Sequence, residues 1–214
     1  MADTYYFPHI PKCGGTSVKK FIQSSGLSVF FDYDHPPSHK KFYKDLSDGR
    51  NKEFSKLNFD VFDIVFGHYP IKRYKHKANV ILLLRHPVDR AISHFNYWKY
   101  VIPESNLIAV AKEPLVKSIK DGECDFINFL KSASIDNFYL RYLDELELSD
   151  VKRVFFTNKM DELYCYLSDY FDLNLTIPNV RERENKIQKE DISKNDLQFA
   201  FKFLREEIQI FAKI

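Results

Sequence analysis

Apolar residues in this chain fall into two rhythms. Val80 to Leu84 is a short unbroken run, as expected for a parallel strand buried on both faces. Tyr5 to Phe7, Ile64 to Phe66 and Val151 to Thr157 read as further short strands. Between them, apolar residues recur at helical spacing. Val18 to Gln23 is helix-like; Val88, Ala91, Ile92, Phe95 and Trp98 form a second stripe, with Pro87 where proline favours a first turn. Cys124 to Leu143 suits two helices or one bent helix, and Met160 to Tyr170 suits one more. Ser193 to Asp196 is a capping-box variant that opens a last helix. Its core stripe is Leu197, Ala200, Phe201, Leu204, Ile208 and Phe211. Phe199, Phe203 and Ile210 lie off that stripe, as in a homodimer contact or a helix buried on two sides.

This alternation predicts an α/β fold with a mostly parallel central sheet flanked by helices, in a single domain over residues 1–214. The chain has no internal repeat and no Gly/Ser- or Pro-rich linker. At 44% hydrophobic and 29% charged it falls in the ordinary soluble class, and its 20 Phe and 13 Tyr are expected to fill the core. A net charge of +2 is too balanced to imply nucleic acid. No apolar run reaches the length of a membrane span, and Met1 to Tyr6 shows no secretory signal, so a cytoplasmic location is expected. Cys13, Cys124 and Cys165 are widely spaced and support neither a disulfide framework nor a zinc site.

The candidate chemistry begins at Pro8-His9-Ile10-Pro11-Lys12-Cys13-Gly14-Gly15-Thr16-Ser17, between a strand-like run and a helix-like one. A glycine turn there directs backbone N–H groups toward an anion, and the next helix adds its positive end. Lys12 supplies a charge, and Thr16 and Ser17 supply hydroxyl donors. In a Walker loop the lysine follows the glycines. Here it precedes them.

Arg85 follows the Val80–Leu84 run, at the strand end where open α/β sheets bind ligands, and Ser93 lies about two turns into the next helix. Guanidinium and hydroxyl together suit a phosphate; the plain alternative for Arg85 is an ion pair with Asp89. Arg90 is expected on a solvated helix position. His68 ends the Asp63–Gly67 run, so it shares one rim with Lys12 and Arg85, and a histidine there suits a general base. A P-loop kinase needs a magnesium-binding acid near a strand end, but Arg85 and His86 follow one strand, and Asp60 and Asp63 precede the other.

The segment Ile10-Pro11-Lys12-Cys13-Gly14-Gly15-Thr16-Ser17 resembles the 5'-phosphosulfate loop of sulfotransferases that use 3'-phosphoadenosine-5'-phosphosulfate (PAPS), most closely the carbohydrate branch of heparan-sulfate type, family 2. That resemblance implies a minimal soluble member with a P-loop-like three-layer fold. It implies that Lys12, Cys13, Gly14, Gly15, Thr16 and Ser17 bind the 5'-phosphosulfate, and that Arg85 and Ser93 hold the 3'-phosphate. His68 matches the proposed base, although the branch's His-Gly-His is Phe66-Gly67-His68 here. The implied reaction moves sulfonate to an acceptor hydroxyl, of a carbohydrate, by in-line displacement, with Lys12 stabilising the leaving 3',5'-diphosphoadenosine. No metal is needed, because lysine, arginine and backbone dipoles neutralise the donor. Asn137, Arg141 and Leu143 match an Asn-x-x-x-Arg-x-Leu stretch, which makes Arg141 a contact candidate beside a helix-surface ion pair. Arg183, Asn185 and Lys186 resemble a loop that closes over the nucleotide. The alternatives are a P-loop nucleotide kinase and a non-catalytic nucleotide-binding protein.

Two other segments invite weaker readings. His35 and His39 sit among prolines in Asp32 to Asn58, which suits a solvated loop rather than a metal site. Ile71 to Lys77 either meets an anionic ligand or forms an exposed charged turn.

Overall fold

In the computed structural model, which describes residues 3–33, 58–74, 79–102, 114–132, 138–174 and 192–213, five strands form one parallel sheet. They are β1 (Tyr5–Pro8), β2 (Val29–Asp32), β3 (Ile64–Gly67), β4 (Val80–Leu84) and β5 (Val151–Phe156), in the order β2-β3-β1-β4-β5. All five residues of β4 and all four of β3 are buried, as continuous apolar runs in a covered parallel sheet should be. The pleat sorts them. Tyr5, Phe7, Ile64, Phe66, Ile81 and Leu83 pack on one face against α1 (Gly15–Ser24) and a late helix, Met160–Tyr170. Val65, Val80, Leu82 and Leu84 pack on the other against Tyr69, Ile71, Tyr74 and the short helix Phe138–Leu143. This makes the three layers.

In chain order the helices after α1 are α2 (Pro87–Asn96), α3 (Pro114–Lys120), α4 (Phe126–Leu130), α5 (Phe138–Leu143), α6 (Met160–Tyr170), α7 (Lys194–Phe203) and α8 (Arg205–Phe211). Pro87 opens α2, and its stripe of Val88, Ala91, Ile92, Phe95 and Trp98 anchors a separate helical cluster with α3, α4 and α7. Asp125 caps α4 by accepting from the Asn128 N–H, and Ser193 caps α7 by accepting from the Asp196 N–H.

Four sequence readings change here. β2 is a strand where no element was expected, and Asp32, read as the start of a solvated loop, is buried at its end. Arg73 is buried too, and donates to Asp32 together with the Tyr74 hydroxyl, so this part of Ile71 to Lys77 is no exposed turn. Arg90, expected in solvent, is 0% exposed; its Nη2 lies 3.4 Å from Glu207 Oε2 and its guanidinium 4.0 Å over the Phe138 ring. The final helix breaks at Leu204, which splits the expected stripe. Leu197, Ala200, Leu204 and Ile208 pack in the helical cluster, Phe211 packs beneath the sheet, and Phe201 is left 39% exposed. Of the off-stripe residues, Phe199 packs against the helical cluster.

Candidate functional site

The strand order places a crevice between β1 and β4. The connection after β1 runs toward β2 on one side of the sheet, and the connection after β4 runs toward β5 on the other. Ligands of open α/β sheets bind where the connections part in this way, beyond the carboxyl ends of the strands.

The loop leaving β1 is tightly wound. The Cys13 N–H donates to the Ile10 carbonyl (3.2 Å), and both Lys12 (φ 71°) and Gly14 (φ 75°) are left-handed. Glycine takes that conformation freely; lysine carries roughly 1–2 kcal/mol of strain there. Gly14 is the N-cap of α1 and brings no side chain to the helix start. Of the first-turn N–H groups, that of Ser17 donates to the Gly14 carbonyl (3.0 Å), whereas those of Gly15 and Thr16, which have no acceptor within the helix, are left to the crevice. Gly15 is glycine for another reason. A Cβ there would lie 1.8 Å from the His9 ring, which occupies that space.

A cavity of about 280 Å³ fills the crevice. The β1 loop and α1 supply His9, Lys12, Gly14, Gly15, Thr16 and Ser17; the end of β4 supplies Arg85; α2 supplies Ser93 and Asn96. Tyr97 and Val101 complete it from a π-helical turn that extends α2, in which the Ile102 N–H reaches back to the Tyr97 carbonyl (3.0 Å). Lys12 Nζ stands 3.9 Å over the Tyr97 ring, a cation–π contact across the cavity mouth. No aspartate or glutamate is among these lining residues, so Lys12 and Arg85 set the sign of the field. Behind Ser17, burial pushes the Tyr164 phenol up to about 12.

Seven of the residues singled out in the sequence therefore meet: Lys12, Gly14, Gly15, Thr16, Ser17, Arg85 and Ser93. Cys13 and His68 are not among the lining residues. The Cys13 side chain is 1% exposed and turns into the core beneath the sheet, with Sγ 3.4 Å from the Tyr139 hydroxyl; burial pushes its thiol up. A contact of Cys13 with a ligand can come only from its backbone.

His68 is half-buried at the end of β3, one ring behind the cavity. Its imidazole stacks on that of His9 (4.2 Å between centroids), and its Nδ1 lies 2.6 Å from the His9 carbonyl oxygen. A carbonyl only accepts, so Nδ1 carries the proton. Nε2 is then the nitrogen able to take one. Gly67 allows the approach of β2 and β3 there, because a Cβ would fall 1.8 Å from the Asp32 carbonyl oxygen.

Sequence reasoning passed over Asn96, Tyr97 and Tyr139. A signal existed for the first two, which follow Ser93 by three and four residues and so share its helix face. Tyr139 had none. Its hydroxyl bridges Cys13 and both backbone groups of Arg85, contacts that only the tertiary fold creates. Arg141 on α5 does not line the cavity. Arg183, Asn185, Lys186, Asn137, His35, His39 and residues 75–77 lie outside the described residues. Among the described residues no helix is long and apolar enough to cross a membrane, and none forms a cluster of three or more His, Cys, Asp or Glu side chains suited to a metal ion.

No model of a known family matches the chain, and no curated protein matches it. Among solved structures it is similar to a sulfotransferase from Alicyclobacillus acidocaldarius, with a TM-score of 0.42 and 12% identity over 98% of this chain and 96% of that one. The functional reading accordingly stands on the residues of the cavity.

Proposed function

We propose that this chain is a PAPS-dependent sulfotransferase of a single domain, acting on an acceptor hydroxyl, with a saccharide as the favoured class. The observation that carries the reading is the convergence of two anion-binding stations on one cavity: Lys12 with the start of α1 on the β1 side, Arg85 with Ser93 on the β4 side. A nucleotide charged at both its 5' and 3' positions asks for two such stations. A nucleoside triphosphate asks for one, with a metal-binding acid at a neighbouring strand end. The acid that ends β2, Asp32, is instead held by Arg73 and Tyr74.

In this reading the β1 loop takes the 5'-phosphosulfate on the N–H groups of Gly14, Gly15 and Thr16 and the hydroxyls of Thr16 and Ser17, and Arg85 with Ser93 takes the 3'-phosphate. The acceptor oxygen attacks sulfur, the bond from sulfur to the bridging phosphate oxygen breaks, and Lys12 neutralises the charge left on that oxygen. The acceptor's proton goes to His68 Nε2. The products are the sulfate ester and 3',5'-diphosphoadenosine. The protein's part is positioning and charge stabilisation, with no covalent enzyme intermediate.

Calorimetric titration tests the donor site without knowledge of the acceptor. The purified protein should bind 3',5'-diphosphoadenosine tightly and without magnesium, in preference to ATP and 5'-AMP. A preference for magnesium-ATP would move the protein to the kinases.

A further inference from the structure

Tyr139 belongs to neither motif, yet its hydroxyl touches both. It donates to the Arg85 carbonyl, accepts from the Arg85 N–H (3.1 Å) and lies 3.4 Å from Cys13 Sγ. A phenol has one proton and two lone pairs. The proton goes to the Arg85 carbonyl, which can only accept; one lone pair takes the Arg85 N–H; the other is left for the Cys13 S–H. Burial holds the Tyr139 phenol well above its ordinary range, so the donor stays in place.

The helix that carries Tyr139 is itself fixed from below. The Phe138 N–H donates to Glu207 Oε1 (2.6 Å), and Glu207 Oε2 faces Arg90 of α2. The Arg90 guanidinium spans the Phe138 ring at 4.0 Å and the Tyr139 ring at 5.4 Å. The phenol is thus held at a set height between the β1 loop and the end of β4.

We infer that Tyr139 is a positioning residue that sets the distance between the two anion stations, and through it the selectivity for a nucleotide phosphorylated at both ends. The inference rests on the sulfotransferase reading of the cavity. Arg85 launches its guanidinium from a backbone clamped at both its N–H and its carbonyl, and the Lys12–Gly14 turn is tied to the same oxygen through Cys13. With the hydroxyl gone, each station keeps its own groups and loses its registration to the other.

The test compares wild type, Tyr139→Phe and Leu143→Ala, a cavity-forming change in the same helix that leaves the phenol intact. Each is titrated with 3',5'-diphosphoadenosine and with 5'-AMP, and its thermal midpoint is recorded. Tyr139→Phe should lower the preference for the diphosphate over 5'-AMP by on the order of tenfold, the scale of one or two lost hydrogen bonds. Leu143→Ala should lose thermal stability and keep the wild-type preference. A Tyr139→Phe protein that keeps that preference overturns the inference and leaves the function intact, as does equal loss of preference in Leu143→Ala. Wild-type protein with no preference for the diphosphate overturns both. Should Tyr139→Phe fail to fold, Cys13→Ala, which cuts one arm of the bridge, is read in the same way.

Discussion

The imidazoles of His9 and His68 lie stacked 4.2 Å apart, and the Nδ1 proton of His68 is spent on the His9 carbonyl. One ring lines the cavity and the other stands behind it with its proton-accepting nitrogen defined. On the proposed reading, this arrangement separates binding from proton removal. His68→Asn keeps an N–H donor for the carbonyl and removes Nε2. Its turnover should fall by about 10²–10⁴-fold while its affinity for 3',5'-diphosphoadenosine stays within about threefold of wild type. Unchanged turnover, measured once an acceptor is found, would remove His68 from the chemistry.

Lys12 is both strained and charged. Replacing it with glycine or alanine removes the ammonium in each case, so both variants should lose catalytic efficiency by about 10²–10³-fold. Only glycine relieves the positive φ. Lys12→Gly should therefore be more stable than Lys12→Ala by about 1 kcal/mol in denaturant unfolding. Equal stability would mean that the loop relaxes without cost.

The His9 ring and the missing side chain at Gly15 form a matched pair. Gly15→Ala should cost about 1–3 kcal/mol by overpacking. Adding His9→Ala empties the space that the new methyl needs, so the double variant should be more stable than the sum of the two changes by at least about 1 kcal/mol. Strict additivity would show that the loop yields without involving the ring.

Alkaline pH should weaken the fold. Burial raises the Cys13 thiol from its ordinary value of 9.0, and raises Tyr69 and Tyr139 from 10.0. Above those values the unfolded chain gives up protons that the folded chain keeps, so stability is full below about 9 and declines as pH rises. Cys13→Ser retains a donor for Tyr139 and titrates in neither state. It should flatten the fall in thermal midpoint between about pH 9 and 10, leaving the tyrosine-driven fall above it. The same slope in both proteins would exclude Cys13 as its source.

Arg90 and Glu207 face each other away from water. Arg90→Met alone leaves a buried carboxylate uncompensated and should cost about 3–5 kcal/mol. Combining it with Glu207→Gln, whose amide oxygen still accepts from the Phe138 N–H, should recover a large part of that loss. Chemical denaturation of the three variants measures it, and a double variant as unstable as the sum would rule out coupling.

The layers were legible where burial alone decides the pattern. Val80–Leu84 and Met160–Tyr170 occupy the ranges their apolar patterns predict, and Arg85 follows its strand as expected. β2 was not recognised, although Val29-Phe30-Phe31 is an apolar run as long as Tyr5 to Phe7; it forms an edge of the sheet, with Val29 and Phe30 half-buried and Phe31 exposed. Nor were the buried charges. Arg73 finds Asp32 across 41 residues and Arg90 finds Glu207 across 117, so nothing local distinguishes them from solvated positions. The cavity residues supplied by the two motifs were visible as residue types, whereas the bridge through Tyr139 spans separations of 54 and 126 residues and exists only once the layers assemble.

The exclusion between a ring at position 9 and any side chain at position 15 reaches beyond this one protein. Two positions that share one volume can change only together. In any chain built on the same turn, an alanine at the second glycine should travel with a small residue six places earlier, and an aromatic ring there should travel with glycine. Such paired exchange would leave a trace in sequence of how this loop was assembled.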